Sequence, residues 1–280
     1  MDNAYEFLDS GEGLKLERFG PYILQRPAAQ AVWKKRLASS EWNKAHAIFT
    51  REPDNRWIKK VPLPHSWTCD IDGIIFKIQP TDFGHLGMFA EQRPFWSWIR
   101  STLQKQTKPT LLNLFAYSGG VTLAAARGGA EVCHLDASKG MCDWARENAK
   151  INKLESAPIR WITDDVMKFL DREIKRGRKY DAIVLDPPTF GRGAKGEMFK
   201  IEELITPLIQ KCIQLFSDTP LFLLFSCHTP GFTPQALQNL LEAEKFLREK
   251  GRIESGEMLL QGAHTFALPS GAYARWSSVQ

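Results

Sequence analysis

Apolar strand candidates and helix candidates alternate regularly from residue 111 onward, and this pattern constrains the fold of the 280-residue chain most. Strands are expected over 111–116, 131–136, 158–163, 181–186 and 220–226, and helices over 120–128, 138–152, 165–177, 201–216 and 234–250. Such alternation predicts a parallel sheet with helices on both faces. Two further strands, over 253–260 and 271–278, form an antiparallel ending that is unlike a dinucleotide dehydrogenase.

The stretch Leu111–Gly120 joins the first of these strands to the first helix through a small, glycine-containing turn. In a βαβ unit such a turn lets the backbone approach a nucleotide-like ligand. Asp136 lies sixteen residues after Gly120, at the end of the next strand, where its carboxylate can accept hydrogen bonds from both hydroxyls of a ribose. The strict Gly-x-Gly-x-x-Gly pattern is absent, which disfavours a dinucleotide site. The alternative role for Asp136 is to cap the following helix.

The first 80 residues contain short strand candidates separated by glycine and proline turns. A hairpin is expected over 71–78, around Asp72-Gly73. A short helix is expected over 28–37, after Pro27. We therefore predict a small N-terminal β-rich (α+β) domain over residues 1–80 and a second domain over residues 81–280.

Basic residues are concentrated before the alternating region of a chain whose net charge is +5. Nine basic and three acidic residues lie between Arg26 and Lys60, interleaved with Trp33, Trp42 and Trp57. Cationic groups that pair with phosphates, beside aromatic rings that stack on bases, are typical of RNA-binding surfaces. The alternative is a solvated helix face whose tryptophans are buried in the core.

Composition disfavours metal, membrane and export functions. The five cysteines have no Cys-x-x-Cys spacing and the six histidines have no ligand spacing, so zinc sites and disulfides are not expected. No apolar run approaches the roughly 20 residues needed to span a membrane. The N-terminus lacks the pattern of a secretory signal. We expect a cytoplasmic protein without a metal, and its oligomeric state stays open.

Four motifs together resemble those of class I S-adenosylmethionine (SAM) methyltransferases: Asn113-Leu-Phe-Ala-Tyr-Ser-Gly-Gly, Asp136-Ala-Ser, Asp164-Asp-Val and Asp186-Pro-Pro-Thr-Phe. They are most similar to the branch that methylates cytosine C5 or guanine N7 in large-subunit (23S) ribosomal RNA. Gly84–Arg93 resembles that branch's Gly-x-(Phe/Tyr)-x-(Asp)-Gln-Arg segment, with Glu91 where Asp is usual. The resemblance implies a seven-stranded Rossmann-like α/β sheet, SAM as the cofactor, and 23S rRNA or a large-subunit precursor as the RNA partner.

The resemblance also implies the residues of the site. The cofactor contacts are expected to be Phe89, Gln92, Asn113, Phe115, Tyr117, Ser118, Gly119, Asp136, Ala137, Ser138, Asp164, Asp165, Val166, Asp186 and Pro187. Asp165 suits the adenine amino group, with Asp164 as the competing choice, and the Val166 backbone would read the ring edge. The substrate contacts are expected to be Arg93, Pro188, Phe190, Arg192 and Lys195, the last two in a mobile basic loop over 191–196.

The motif Asp186-Pro187-Pro188-Thr189-Phe190 follows the strand candidate 181–186. Two prolines fix a rigid turn whose carbonyls can face a planar base. Thr189 separates the prolines from the aromatic ring, which disfavours methylation of an adenine amino group. The whole motif resembles the guanine N7 group.

Cys227 follows the strand candidate 220–226 and is the candidate nucleophile. Cytosine C5 becomes reactive when a thiolate adds to C6, which requires surroundings that lower the thiol pKa. A small buried cysteine is the alternative, and His228 is a candidate base. We expect a SAM-dependent RNA methyltransferase acting on cytosine C5, with Cys227 and Asp186 catalytic. The alternatives are guanine N7 methylation without covalent catalysis and methylation of a small molecule.

Overall fold

The computed structural model describes residues 3–192 and 198–279. The chain divides into two compact units, of which the first comprises Met1–Arg93 with Leu259–Ser270 and the second comprises Pro94–Met258 with Gly271–Gln280. The predicted N-terminal domain, residues 1–80, falls within the first unit. Its role as an independent RNA-binding domain stays a prediction.

The first unit is rich in β-strands. In chain order its elements are β1 (Tyr5–Gly11), β2 (Leu14–Phe19), β3 (Tyr22–Pro27), α1 (Ser39–Trp42), β4 (Ala47–Thr50), β5 (Arg56–Lys59), β6 (Trp67–Ile71), β7 (Ile74–Ile78) and a 3-10 helix (Ala90–Gln92). Strands β1 to β5 form a sheet in chain order, and β6 pairs with β7. Asp72 and Gly73 both have positive φ in the turn between β6 and β7, which confirms the predicted hairpin.

The helix predicted over 28–37 is wrong, because its backbone groups bond elsewhere. The N–H of Glu12 donates to the carbonyl of Trp33 at 2.7 Å, and the N–H of Gly13 donates to the carbonyl of Ala31 at 2.8 Å. The turn between β1 and β2 therefore uses carbonyls that a helix would need. The segment stays irregular until α1 begins at Ser39.

The second unit contains the predicted alternation of strands and helices. Its elements are α2 (Arg93–Leu103), β8 (Thr110–Leu114), α3 (Gly120–Arg127), β9 (Glu131–Asp136), α4 (Lys139–Ile151), β10 (Ile159–Thr163), α5 (Val166–Lys175), β11 (Ala182–Leu185), β12 (Phe190–Arg192), β13 (Met198–Lys200), α6 (Ile201–Gln214), β14 (Phe222–Cys227), α7 (Pro234–Ala243), α8 (Lys245–Lys250), β15 (Gly251–Leu260) and β16 (Leu268–Ser278). The helix predicted over 234–250 is divided at Glu244, whose backbone is extended. The loop predicted over 191–196 begins as β12, which pairs with β13.

Seven strands form one sheet in the order β10-β9-β8-β11-β14-β16-β15. Strands β8, β9, β10, β11 and β14 are parallel, and β16 runs antiparallel to β14. This confirms the predicted Rossmann-like sheet with an antiparallel ending. The strand order reverses between β8 and β11, and ligands of open α/β sheets bind at the carboxyl ends of strands at such a reversal.

The core of the second unit lies on the central strands. Leu112, Leu114, Ile183, Leu185 and Leu223 are fully buried. Burying each such side chain contributes about 1.5–3 kcal/mol. Because these strands are covered on both faces, their side chains are continuously apolar rather than alternating.

Candidate active site

The structure brings most of the predicted site residues to one edge of the parallel sheet. Residues 115–119 follow β8, residues 136–138 end or follow β9, and residues 164–166 follow β10. Residues 186–190 follow β11, and Cys227 ends β14. The carboxyl ends of parallel strands share an edge, so segments far apart in sequence meet beside the reversal of strand order.

Asp136 is held by backbone donors from two segments. Its Oδ2 accepts the N–H of Tyr117 at 2.9 Å, and its Oδ1 accepts the N–H of Ser138 at 2.8 Å. Burial raises the pKa of the Asp136 carboxyl, and these two hydrogen bonds act in the opposite direction. Ser138 is the N-cap of α4 and accepts the N–H of Met141. The helix-capping alternative for Asp136 is therefore wrong.

The loop after β8 has an unusual backbone. Phe115 and Tyr117 have φ angles of 56° and 50°, in the left-handed region that residues with side chains seldom adopt. Besides the bond from Tyr117 to Asp136, two further bonds hold the loop. The Ala116 N–H donates to the carbonyl of Leu135 at 3.0 Å, and the amide of Asn148 donates to the carbonyl of Ser118 at 2.9 Å. Strained backbone held by its surroundings is concentrated at functional sites.

The two glycines of this turn lie against neighbouring helices, and Gly119 also has a left-handed backbone that favours glycine. A Cβ on Gly119, whose φ is 92°, would lie 3.1 Å from the Cβ of Ala145 in α4. A Cβ on Gly120 would lie 2.7 Å from Cζ2 of Trp96 in α2. From the sequence, we attributed the small residues at these positions to the close approach of a ligand. In the structure, their missing side chains make room for α4 and α2.

Asn113 lies beneath the loop, in the core. It is 3% exposed, and its Nδ2 donates to Oγ1 of Thr122 at 3.0 Å. Oγ1 of Thr122 in turn lies 2.9 Å from Nδ1 of His134, whose pKa burial lowers to about 3. This series of hydrogen-bonded side chains lies beneath the loop and supports it. The predicted contact of Asn113 with the cofactor stays a prediction.

The two aspartates after β10 have local partners. Asp165 is the N-cap of α5, and its Oδ1 accepts the N–H of Lys168 at 2.9 Å. Asp164 accepts the N–H of Asp165 and forms an ion pair with Arg172. A carboxylate has about four acceptor sites, so the cap leaves Asp165 able to accept a ligand amino group.

Asp186 and His228 face each other at the ends of adjacent strands. Leu185, the last residue of β11, pairs with Phe225 of β14, and Asp186 directly follows β11. Nε2 of His228 lies 3.7 Å from Oδ2 of Asp186, and both side chains are partly exposed. After Asp186, Pro187 is buried, Pro188 is exposed and Phe190 is 48% exposed.

Cys227 has a buried thiol. Its residue is 1% exposed, and its Sγ accepts the N–H of Thr229 at 3.4 Å. Burial raises the pKa of the Cys227 thiol, the hydrogen bonds of Thr229 oppose this rise, and the charges of Asp186 and Glu202 add to it. The lowered pKa expected for a nucleophile is therefore not found.

Sequence reasoning missed Thr229. Besides its bond to Cys227, its Oγ1 lies 2.8 Å from Oγ1 of Thr189, which ties the loop after β14 to the loop after β11. Spacing does not single out this residue, because Thr189 lies 40 residues earlier in the chain, in the loop after β11.

Three predicted residues belong to the first unit. Phe89 precedes the 3-10 helix, which contains Gln92. The Phe89 ring lies 5.7 Å from the ring of His85. Arg93 forms an ion pair with Asp72 at 3.6 Å and places its guanidinium over the ring of Tyr5. Their contacts with cofactor and substrate stay predictions.

The remaining predicted residues have simpler surroundings. Ala137 is exposed and Val166, the first residue of α5, is buried. Arg192 ends β12, and Lys195 lies outside the described residues. Within residues 3–192 and 198–279, no group of three or more His, Cys, Asp or Glu side chains could hold a metal ion. None of the helices in those two ranges combines the length and the apolar character of a membrane-spanning segment.

The sheet order, the antiparallel β16 and the site at the carboxyl edge define a class I methyltransferase fold. Residues 26–224 match the family of S-adenosylmethionine-dependent methyltransferases. A structure of the SAM-dependent methyltransferase from Agrobacterium tumefaciens is similar over 98% of this chain and 90% of that chain, with 36% identity and a TM-score of 0.93.

Two curated relatives are ribosomal RNA methyltransferases. Over 198 residues the chain is 32% identical to ribosomal RNA large subunit methyltransferase I of Aeromonas salmonicida, covering 69% of this chain and 48% of that protein. Over 167 residues it is 34% identical to ribosomal RNA large subunit methyltransferase K/L of Hahella chejuensis, covering 59% of this chain and 22% of that protein. The chain thus spans less than half the length of either relative.

The chain belongs to the S-adenosylmethionine-dependent methyltransferase family, which confirms the family and the cofactor predicted from its motifs. The residues present fit this cofactor. The Asp136 carboxylate is fixed by two backbone N–H groups and keeps acceptor sites for two ribose hydroxyls.

Proposed function

We propose that this protein transfers the methyl group of SAM to a base of large-subunit ribosomal RNA. The observation that carries the proposal is the meeting of the Asp186-Pro187-Pro188 turn with Cys227 and His228, at the ends of β11 and β14. The names of the two curated relatives support ribosomal RNA as the substrate.

We assign the cofactor contacts to residues that lie at or just after the carboxyl ends of the parallel strands. Asp136 accepts the ribose hydroxyls, and Asp165 accepts the adenine amino group beside the backbone of Val166. The strained loop Phe115–Gly119 holds the methionine part. When bound, SAM supplies an electrophilic methyl group on a sulfonium.

The target base is assigned to the turn after Asp186. Pro187 and Pro188 have no N–H, so this turn offers carbonyl acceptors to the edge of a base. Phe190 is 48% exposed and offers a ring for stacking. Arg93, Arg192 and Lys195 are assigned to phosphates.

For cytosine C5, Cys227 is the proposed nucleophile. Its thiolate forms a bond from Sγ to C6, which makes C5 nucleophilic enough to take the methyl group. His228, beside Asp186, accepts the C5 proton. The bond from Sγ to C6 then breaks and its electron pair returns to sulfur, so one proton is released in each cycle.

Guanine N7 is the second candidate, and the environment of Cys227 favours it. Cys227 is 1% exposed and burial raises the pKa of its thiol, which disfavours the thiolate that attack on C6 requires. Guanine N7 carries its own lone pair and requires only positioning. In this case Asp186 and the proline turn orient the base, and Cys227 is a packing residue.

The test is methyl transfer from labelled SAM to large-subunit rRNA, followed by mass spectrometry of the nucleosides. Labelled 5-methylcytidine supports the first candidate, and labelled 7-methylguanosine supports the second. Cys227→Ala should abolish cytosine transfer but spare binding of S-adenosylhomocysteine, whereas Cys212→Ala, which changes a buried cysteine in α6, should spare both.

Two results would reject the proposal. One is the absence of S-adenosylhomocysteine binding in calorimetry. The other is turnover of a small molecule that does not change with salt, without any RNA binding at low ionic strength. We assign the protein to the cytoplasm, where ribosomal RNA is found and where its five free cysteines would stay reduced.

A further inference from the structure

We propose that a basic surface of the first unit, formed by Val32–Arg36 and Phe266, binds single-stranded RNA. This inference rests on the proposed function, because it names where the RNA substrate is captured. We call these residues the 32–36/266 surface. It combines three consecutive cations with exposed apolar side chains from segments far apart in sequence.

The tryptophans expected to stack on RNA are engaged within the protein. The indole N–H of Trp33 donates to the carbonyl of Ser10 at 3.0 Å, and that of Trp57 donates to the carbonyl of Thr81 at 2.9 Å. Trp42 is 4% exposed, so the alternative of a buried tryptophan is right for it. Trp33 and Trp57 are half-buried, so Phe266, at 50% exposure, offers the more exposed ring of this surface.

The buried carboxylate of Asp9 holds the segments of this surface together. Asp9 is 0% exposed, and its Oδ2 accepts the N–H groups of Arg36 and Leu37 and the indole N–H of Trp42, at 2.9–3.0 Å. Its Oδ1 accepts the hydroxyl of Thr265 at 2.9 Å. One side chain of β1 thus fixes the basic segment and the segment that carries Phe266. Four donors satisfy the buried charge.

Lys34 and Arg36 are the exposed cations of the surface. The side chain of Lys34 is 94% exposed, whereas that of Lys35 is 26% exposed and places its Nζ over the Trp42 ring, 4.4 Å from the ring centre. Both lie near Glu12, at 3.8 and 3.5 Å, and exposed pairs of this kind contribute only about 0–1 kcal/mol. With Arg36, three positive charges outnumber one carboxylate, so the surface is complementary to a phosphate backbone.

The apolar part favours unpaired RNA. Val32 is 84% exposed and Phe266 is 50% exposed. The guanidinium of Arg36 lies over the Phe266 ring, 4.7 Å from its centre, and the Trp33 ring meets Phe266 edge to face at 6.1 Å. RNA-binding proteins stack unpaired bases on aromatic rings and guanidinium planes in this way, whereas a duplex presents mainly phosphates and riboses.

The test compares matched charge deletions in the full chain. Lys34→Ala with Arg36→Ala removes two charges from the surface, and Arg56→Ala with Lys59→Ala removes the same two charges from exposed positions of β5. Binding of single-stranded large-subunit rRNA fragments is measured by fluorescence anisotropy over a series of salt concentrations. The first pair should reduce the slope of log affinity against log salt by about 1.4, since each phosphate contact on a single strand contributes about 0.7.

Phe266→Ala tests stacking separately. Binding should weaken about tenfold, as expected for one base–aromatic stack, with the salt slope unchanged. All variants should bind S-adenosylhomocysteine like the wild type, which shows that the second unit is intact. Their unfolding in urea should also match that of the wild type, which shows that the first unit folds.

The inference is overturned if the wild type binds and methylates RNA while the two double variants show the same affinity and the same salt slope. That outcome leaves the proposed function standing. Equal binding of duplex and single strand with an inert Phe266→Ala would also overturn it. If the Lys34→Ala, Arg36→Ala variant loses binding to ribosomal particles but keeps binding to free RNA, the surface binds a protein partner instead. A wild type that binds no RNA would reject the inference together with the RNA part of the proposed function.

Discussion

Oδ2 of Asp136 accepts the backbone N–H of Tyr117 at 2.9 Å and thereby joins the end of β9 to the strained loop after β8. The second oxygen of the same carboxylate accepts the N–H of Ser138 at the start of α4. A single side chain thus fixes the relative position of two segments that we assign to the cofactor. Its substitution should disturb both.

Asp136→Asn should weaken binding of S-adenosylhomocysteine. An amide has one oxygen, so its NH2 group would face one of the two N–H donors. Hydrogen bonds to charged groups contribute about 1.5–3 kcal/mol, so the dissociation constant should rise by about 10–100-fold in calorimetry. Asp143→Asn, at a position of α4 that is not part of the proposed site, is the control. Equal affinity of Asp136→Asn and wild type would remove Asp136 from the site.

Gly120→Ala should destabilise the protein. The new Cβ would lie 2.7 Å from the Trp96 ring, and overpacking of this kind costs about 1–3 kcal/mol. Gly140→Ala in α4 is the matched control, since its nearest neighbour would be Oγ of Ser138 at 3.8 Å. Replacing a helical glycine there should stabilise by about 0.5–1 kcal/mol. Urea unfolding measures both, and equal stability of the two variants would contradict the packing role of Gly120.

Stability should fall as the pH decreases from 7 to 5, because of His134. Burial lowers its pKa to about 3 in the folded protein, from an ordinary value of about 6.5. In the unfolded chain, His134 binds a proton below about pH 6.5. In the folded chain, it binds this proton only below about pH 3. The free energy of unfolding should therefore decrease by up to about 1.4 kcal/mol per pH unit in this window.

His134→Gln removes that titration. Its unfolding free energy, measured in urea at pH 7, 6 and 5, should change less with pH than that of the wild type, whatever its absolute value. His65→Gln changes an exposed histidine and should keep the wild-type slope. The assignment to His134 fails if the Gln variant keeps the full slope.

Asp9→Asn should loosen the 32–36/266 surface. The amide cannot accept from all four donors that the Asp9 carboxylate satisfies, and each buried unsatisfied group costs about 1–3 kcal/mol. We expect lower stability in urea and faster trypsin cleavage after Lys34, Lys35 and Arg36, because local opening exposes the segment. Asp54→Asn, in the exposed turn between β4 and β5, should change neither. Unchanged cleavage in Asp9→Asn would show that other contacts hold the segment.

Local pattern in the sequence determined the architecture of the second unit. Strand and helix periodicity is a property of neighbouring residues, so the alternation from residue 111 predicted the parallel sheet, and the antiparallel ending was visible in the last two strands. The motifs at the strand ends predicted the family and its cofactor for the same reason. Each motif is a short, contiguous stretch.

Tertiary contacts decided what these stretches do. The helix predicted over 28–37 is replaced by irregular backbone because the turn at Glu12 and Gly13 takes its carbonyls. Gly119 and Gly120 are small because helices from elsewhere pack against them. The sequence singled out Cys227, but the folded surroundings set the pKa of its thiol.

The same division holds for RNA capture. The sequence by itself determined a methyltransferase fold and an excess of positive charge between Arg26 and Lys60. The folded chain decided that Trp42 is buried, that the indole N–H of Trp33 bonds within the protein, and that Phe266 meets Arg36. Those two residues are 230 positions apart, and the buried carboxylate of Asp9 brings their segments together. Burial and hydrogen bonding between distant segments are not encoded in any local pattern, so this surface became visible only in three dimensions.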